Sequence, residues 1–133
     1  MEQSKAKDMD NISQAVSLHP YFQIREGNLN EFLALIPKFI EKTSNEPGCI
    51  YYDFSRNGNT AFCREAYADA EGLLAHLDNV GDLVAQFLEL SDLIRIEVHG
   101  PEAEIEKLRE PMAGLNPDFY IWEAGLEMPC QEA

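Results

Sequence analysis

The 133-residue chain is poor in positive charge: it has 10 Lys and Arg residues against 24 Asp and Glu residues, and its formal net charge is −14. A surface of this charge repels phosphate backbones and anionic lipid headgroups, so we expect neither nucleic acid nor a membrane as a partner. No apolar run approaches the ~20 residues that a membrane span requires. The simplest interpretation of the acidity is a well-solvated surface.

Cysteine is scarce as well: the chain has three cysteines, Cys49, Cys63 and Cys130. The number is odd, and residues 1–13 contain no apolar segment of the kind found in signal peptides. We therefore expect free thiols and a cytoplasmic location. The three histidines are far apart, and the sequence has no C-x-x-C motif and no glycine-rich phosphate loop. These absences predict no metal site and no cofactor.

The length predicts one domain. Residues 1–13 are polar and are expected to be flexible, which leaves residues 14–133 as a single domain. The hydrophobic fraction is 45%, enough for a packed core.

Apolar periodicity along the chain predicts the order β-α-β-β-α-(α)-β-α-β. Alternation over residues 16–24 predicts a first strand, and Pro20 within it is expected at an edge, a bulge or a kink. Asn28 and Glu31 have the spacing of a capping box at the start of a helix, which we expect to continue, kinked, past Pro37. This order is typical of an α+β sandwich, with an antiparallel sheet and helices on one face.

Asn57-Gly58 predicts a tight turn between two strands, in the register that pairs Tyr52 with Cys63. That register places on one face Ile50, Tyr52, Phe54, Ala61, Cys63, Glu65 and Tyr67. Cys49 would lie on the opposite face, which excludes a disulfide with Cys63. Because both faces mix aromatic and polar side chains, we expect both to be covered, one of them by a second copy of the chain.

Two further strands are predicted near the C-terminus. Strict alternation over residues 94–98 places Ile94, Ile96 and Val98 on one face. A short helix is expected after Pro101, because proline suits the first turn of a helix. The final strand has Tyr120 and Trp122 on one face.

The segments EPGCIYYDF and FCREAYADAEGLLAHL resemble the antibiotic biosynthesis monooxygenase (ABM) family, over about residues 14–99. The matching positions are Glu46, Pro47, Gly48, Cys49, Tyr52, Glu65, Tyr67, Ala75 and His76. The resemblance implies a ferredoxin-like subunit that pairs into a dimeric α/β barrel, with residues from about 100 onward as an extension.

The same resemblance implies a cofactor-independent monooxygenase acting on a small aromatic or quinol substrate. Gly81 stands where many members have a second histidine, which favours the alternative of a non-catalytic, small-molecule-binding dimer. The helix after Gly81 has no histidine to ligate haem iron. An isomerase of a phosphorylated molecule is disfavoured because few basic residues lie near the candidate site.

The resemblance and the predicted faces indicate three catalytic candidates. His76 occupies the A-x-H position and is a candidate base; alternatively it only stabilises the end of its helix. Tyr67 would assist it. Glu65 lies among apolar groups, where the pKa of a carboxyl group rises; the alternative is a hydrogen bond or a salt bridge at the subunit interface.

Three further residues are candidate substrate contacts. His19 either points into a cavity between sheet and helices or faces solvent. Tyr52 and Trp122 either line a substrate pocket or fill the core or an interface.

Overall fold

The computed structural model describes residues 14–126. The expectations for residues 1–13, for Cys130 and for the end of the C-terminal extension lie outside the described residues. The strands and helices, with a 3₁₀ turn at Ala113–Leu115, are β1 Val16–Ile24, α1 Leu29–Thr43, β2 Cys49–Asn57, β3 Thr60–Tyr67, α2 Ala70–Asn79, α3 Gly81–Leu90, β4 Ser91–Gly100, α4 Glu102–Leu108 and β5 Asp118–Ile121. The predicted order of elements is confirmed.

The strands form one sheet in the order β2-β3-β1-β4-β5. The first four are antiparallel and give the predicted ferredoxin-like α+β sandwich, whereas β5 pairs parallel to β4. The sheet is therefore mixed rather than purely antiparallel, because β4 and β5 are joined by a crossover through α4. The described part of the extension thus adds a helix and an edge strand to the same subunit.

Among residues 14–126, no helix combines the length and the apolar character needed to cross a bilayer.

Pro20 lies in a central strand, between β3 and β4. Proline has no N–H to donate to a ladder. The β1–β3 pairing accommodates this: it runs to Leu18 opposite Glu65 and resumes at Tyr21 opposite Phe62. Pro20 is therefore not at an edge of the sheet; the pairing with β3 is interrupted beside it, and the pairing with β4 has a bulge directly after it, between Tyr21 and Phe22.

The first turns of α1 and α2 are capped differently. Asn28 precedes α1, yet its side chain donates to the carbonyl of Leu90 rather than capping α1, so the predicted capping box does not form. The helix continues past Pro37 as predicted. Asp69 does cap α2, because its carboxylate accepts from the backbone N–H of Gly72 at 2.8 Å.

The β2–β3 hairpin turns at residues 58–59, since Asn57 pairs with Thr60. Tyr52 consequently faces Glu65, two residues from its predicted partner. Gly58 has a φ of 58°, a value that glycine adopts without strain at the first position of a tight hairpin. Because side chains alternate with a period of two, this shift leaves every residue on its predicted face.

At the start of β2, a β-bulge between Cys49 and Tyr51 does move side chains to the face opposite the predicted one. The extra residue of a bulge reverses the alternation beyond it. Cys49 therefore packs against the core, and Ile50 is exposed on the other face, the reverse of the prediction. Cys49 and Cys63 are free thiols on the same side of the sheet.

A second bulge displaces Ile94. Arg95 pairs with Tyr21 and Leu93 with Phe22, so Ile94 is the additional residue of β4. Leu93 packs against the core in its place, and Ile94 is exposed. The prediction that Ile94 shares a face with Ile96 and Val98 is therefore wrong, because the bulge turns Ile94 away from the core.

The helices cover one face of the sheet with two buried clusters. The first comprises Val16, Leu18, Tyr67, Ala70, Leu73, Ile96, Val98, Ile105, Leu108 and Met112. The second comprises Phe22, Ile24, Phe32, Leu35, Phe39, Ala61, Val80, Leu83 and Phe87. The opposite face, called the open face below, exposes Ile50, Tyr51, Ile94, Tyr120 and Trp122.

Candidate active site

A cavity of about 50 Å³ lies where the two clusters meet, between the sheet and the helices. Most of its lining is hydrocarbon: Leu18, Pro20, Phe22, Phe39, Phe54, Leu77, Val80, Val84, Phe87, Leu88, Leu93, Ile96 and Leu115. The polar groups of the lining are those of Tyr52, Cys63, Glu65 and His76. The volume suits one or two molecules the size of water or dioxygen, so an aromatic ligand requires the walls to move apart.

His76 connects two carboxylates. Its Nδ1 lies 3.0 and 2.9 Å from the two carboxylate oxygens of Glu46, and its Nε2 lies 3.3 Å from Oε1 of Glu65. Asn79 fixes Glu46 by donating to its Oε2 at 2.8 Å. The imidazole is 2% exposed and the Glu65 side chain 4%, so both are shielded from solvent.

Glu65 also accepts a hydrogen bond from the Tyr67 hydroxyl at 2.5 Å. Burial raises the pKa of Glu65 to about 7, although the hydrogen bonds from Tyr67 and from the Cys63 thiol oppose the rise. Burial likewise raises the pKa of Tyr67, which keeps its proton as a donor. Glu65 therefore changes charge near neutral pH, as a general acid or base must.

The proton count of the three groups follows from the geometry. Each nitrogen of His76 faces a carboxylate oxygen, and each of these contacts is attractive only with a proton between the two atoms. A neutral imidazole supplies one proton, so a second must be shared with Glu65. Burial lowers the pKa of His76, against the opposing effect of Glu46, which favours placing this second proton on Glu65.

The local sequence explains why these groups meet. Gly48 lies so close to Gly72 that a Cβ at Gly48 would be 3.1 Å from the Gly72 Cα. Two glycines therefore let the start of α2 pack on the start of β2. Asp69 begins α2 at that point, and two turns later the helix brings His76 beside Glu46.

Two tyrosines enclose the imidazole. The rings of Tyr52 and Tyr67 each have centroids 5.0 Å from that of His76. The contact with Tyr52 is edge-on, and this ring also lines the cavity. Both rings restrict the orientation of His76, which keeps its nitrogens directed at their carboxylates.

Of the six residues predicted for the site, four lie together: Glu65, Tyr67, His76 and Tyr52. The other two lie on the open face. His19 does not point into the cavity; it stacks on Phe62 and accepts or donates a hydrogen bond with Ser17 at 2.8 Å. Trp122 lines a groove on that face beside Tyr51.

Glu46 is the residue that the sequence analysis did not assign to the site. It appeared there only as the first letter of the E-P-G-C motif. A usable signal was present: a glutamate just after a helix, followed by a Pro-Gly turn, is held close to the next strand. Its partner, 30 residues later, was not predictable from that spacing.

Within residues 14–126, no group of three or more His, Cys, Asp or Glu side chains is arranged to hold a metal ion.

The sequence profile of the family described as antibiotic biosynthesis monooxygenase matches residues 15–89. The solved structures that are similar to the chain include MupZ, Rv0793 and SnoaB. MupZ from Pseudomonas fluorescens is 46% identical with a TM-score of 0.84, and the match covers 87% of this chain and 91% of MupZ. Rv0793 from Mycobacterium tuberculosis is 26% identical over 65% of this chain and 94% of its own, with a TM-score of 0.59.

The third is SnoaB, a cofactor-independent oxygenase from Streptomyces nogalater, at 17% identity and a TM-score of 0.53. It covers 64% of this chain and 88% of SnoaB, and at this identity it supports the fold alone. No curated protein matches the chain. The profile match over more than half of the chain, together with the likeness to MupZ, shows that the protein belongs to the antibiotic biosynthesis monooxygenase family.

Proposed function

We propose that the protein is a cofactor-independent monooxygenase of a small aromatic or quinol substrate. The observation that carries the proposal is the buried Glu65–His76 pair at a cavity with hydrocarbon walls. Membership of the family and the fold shared with a cofactor-independent oxygenase support it.

In this reaction Glu65, in its ionised form, takes an acidic proton from the substrate. The substrate anion passes one electron to O₂, and the resulting pair of radicals joins through a C–O bond to form a peroxide. Loss of water from the peroxide leaves a carbonyl group, so the substrate loses two hydrogens while O₂ supplies one oxygen to the product and one to water. The dry walls keep the anion reactive, and Glu65, in contact with His76, holds the proton until the leaving oxygen needs it.

Tyr67 and Tyr52 have different roles in this scheme. Tyr67 donates to Glu65 and keeps the carboxyl group oriented. Tyr52 lines the cavity beside His76 and is the proposed aromatic contact of the substrate. His19 and Trp122 do not belong to the lining of this cavity, and we assign them instead to the open face.

The test is O₂ consumption by the purified protein with a panel of hydroquinones and polycyclic phenols. We expect uptake with at least one substrate and its loss in Glu65→Gln and His76→Ala. His99→Ala is the control, because His99 also contacts a glutamate but lies on the open face. Product formation without O₂ would contradict the monooxygenase and assign the same residues to redox-neutral proton transfer.

The second candidate is a non-catalytic module that binds a small molecule. The cavity volume of about 50 Å³ favours it, because the site as it stands admits little more than a gas molecule or water. A ligand that co-purifies with the protein and is recovered unchanged after aerobic incubation would support this function over catalysis.

We also propose that the open face pairs two copies into a homodimer. It carries exposed aromatic and aliphatic side chains at Tyr51, Ile94, Tyr120 and Trp122, and the helices lie on the other side of the sheet. Large exposed apolar side chains gathered on one face of a sheet favour association. Light scattering at micromolar concentration should give twice the 15.0 kDa chain mass.

The proposed location is the cytoplasm. Cys49 and Cys63 are free thiols, and free thiols persist in reducing compartments. Fractionation of cells that produce the natural protein, with detection by antibody, tests this assignment.

A further inference from the structure

Tyr52 separates two spaces that differ in character. On one side is the mostly hydrocarbon cavity between the sheet and the helices described above. On the other is an open groove of about 250 Å³ at the protein surface. The residues that line this groove are Ile40, Thr43, Ser44, Glu46, Cys49 and Tyr52.

Glu46 joins the groove to the buried site. Glu46 is one of the groove-lining residues, and its carboxylate contacts Nδ1 of His76 at 2.9 Å. The Glu46 side chain is 9% exposed, against 2% for His76, so Glu46 is the member of the pair that solvent reaches. Asn79 holds it in place from the side.

The opposite nitrogen of His76 faces the cavity. Nε2 lies 3.3 Å from Oε1 of Glu65. Beyond the polar groups of the site itself, the cavity lining is hydrocarbon. A proton on Glu65 therefore has a polar path through the imidazole to Glu46, and the described lining of the cavity offers no second one.

We propose that Glu46 is the solvent-side end of a proton relay, through which Glu65 exchanges protons with solvent in the groove. The inference rests on the proposed acid–base role of Glu65. In the outward direction, the proton of Glu65 passes to Nε2 of His76 while the proton of Nδ1 passes to Glu46, and Glu46 releases its proton to the groove. Only O–H and N–H bonds form and break, and no electron is transferred.

The reverse movement restores the starting state. A proton taken up by Glu46 passes to Nδ1, and the proton on Nε2 returns to Glu65, so the original tautomer of His76 reappears. In the proposed oxygenation the substrate gives up a proton first, and the leaving oxygen takes one later. The outward and the inward proton transfers then cancel over one turnover. The substrate occupies the cavity on one side of Tyr52, and protons enter and leave through the groove on the other side.

The experiment is solvent exchange of the His76 ring N–H protons, measured by NMR on protein labelled with [¹⁵N]histidine. We expect Glu46→Gln to slow the exchange at least tenfold, because an amide does not carry a proton to solvent. A mere loosening of the structure would accelerate exchange, so slowing distinguishes a relay from a structural role. Glu97→Gln is the matched control: it removes the carboxylate beside His99 and should leave His76 unchanged.

A rescue experiment sharpens the assignment. Formate added to Glu46→Ala should restore fast exchange of His76, because the groove admits a small carboxylate beside Nδ1. Formate should not act in this way on Glu65→Ala, because the Glu65 side chain that is removed is only 4% exposed and lies between the sheet and the helices. If neither Glu46 variant folds, Ile40→Trp narrows the groove without touching the relay and should slow the exchange.

An unchanged exchange rate in Glu46→Gln, or equal slowing by Glu97→Gln, would overturn the relay. Both measurements use the protein without substrate. Failure to consume O₂ would therefore count against the proposed oxygenase and leave the exchange result intact, so the two hypotheses fail separately.

Discussion

On each face of the sheet a glutamate lies beside a histidine, Glu65 beside His76 of α2 and Glu97 beside His99 of β4, and the two pairs behave differently. On the covered face, Glu65 and His76 are nearly inaccessible, and burial raises the pKa of Glu65. On the open face, Glu97 and His99 are 16% and 43% exposed, and hydrogen bonds from His99 and Arg95 lower the pKa of Glu97. The carboxyl groups of the two pairs thus shift in opposite directions.

The cause is the balance between desolvation and pairing. Under the helices, the loss of water penalises the charged carboxylate more than its partners compensate. On the open face of the single subunit, solvent remains and the hydrogen-bonding partners of Glu97 dominate. Proton-transfer chemistry is therefore expected on the covered face, whereas the open face is suited to ion pairs and association.

The largest expected difference between the faces concerns packing. Phe87 stacks on Phe32 with ring centroids 3.9 Å apart and is 1% exposed. Phe87→Ala should lower the free energy of unfolding by about 3–5 kcal/mol, because it opens a cavity in the second cluster. Tyr120→Ala on the open face, where the ring is 42% exposed in the single subunit, should cost the dilute, dissociated subunit less than about 1 kcal/mol. Urea unfolding measures both, and equal losses would contradict the distinction between the faces.

The second prediction concerns pH. The pKa of Glu65 is about 7 in the folded chain, above the ordinary value of 4.5, so protonation favours the folded state. Its contribution is complete below pH 4.5 and is lost as the pH rises through 7, at about 1.4 kcal/mol per unit of pKa shift, or roughly 3 kcal/mol in all. The measurement is the free energy of unfolding as a function of pH, in wild type and in Glu65→Gln. The difference between the two curves gives the contribution of Glu65, because the opposite slope that His76 contributes is present in both and cancels.

The control for this prediction is Glu97→Gln. The pKa of Glu97 is lowered, so its contribution is present above pH 4.5 and is lost as the pH falls below that value. The sign is opposite to that of Glu65. For each glutamate, the pH-dependent difference in unfolding free energy between wild type and the Gln variant has a sign. If that sign were the same for Glu65 and Glu97, burial would not distinguish the two faces.

A smaller effect is expected where α2 meets β2. In Gly48→Ala the new Cβ would lie 3.1 Å from the Gly72 Cα, so the helix that carries His76 must shift. We expect a loss of about 1–3 kcal/mol in the free energy of unfolding, typical of overpacking. Gly114→Ala is the control, because a Cβ at Gly114 would meet no atom of the described residues within 4 Å. Equal effects of the two substitutions would rule out the close approach as the cause.

The smallest effect on the subunit itself is expected on the open face. Phe62 contacts Tyr21 there, with ring centroids 4.7 Å apart. Phe62→Asp should halve the mass seen by light scattering while changing the unfolding free energy of the dilute subunit by less than about 1 kcal/mol. Phe62→Leu should keep the mass of the wild type. A wild-type mass of one chain would exclude the dimer.

Periodicity in the sequence predicted most of the fold. Alternation located the strands, and the helical spacing located the helices, because both patterns reflect burial of one face. The errors cluster at bulges. Ile50 and Ile94 changed faces because one extra residue reverses the alternation, and local sequence does not mark where that residue falls. The strand β5 was predicted, but its parallel pairing with β4 was not, because spacing in the sequence does not show how the connection through α4 crosses the sheet.

The site shows the same division. Glu65, Tyr67 and Tyr52 share a face by alternation, and His76 was reached through its motif. Glu46 joined them only through a contact across 30 residues of chain.

The sequence by itself determined the order of elements, the acidic surface and the placement of one carboxyl group among apolar neighbours, because these depend on composition and short-range spacing. The tertiary structure decided which side chains meet His76, that His19 and Trp122 lie on the other side of the sheet, and that Glu65 titrates near neutral pH. These properties depend on desolvation and on long-range contacts, which exist only after the helices have packed on the sheet.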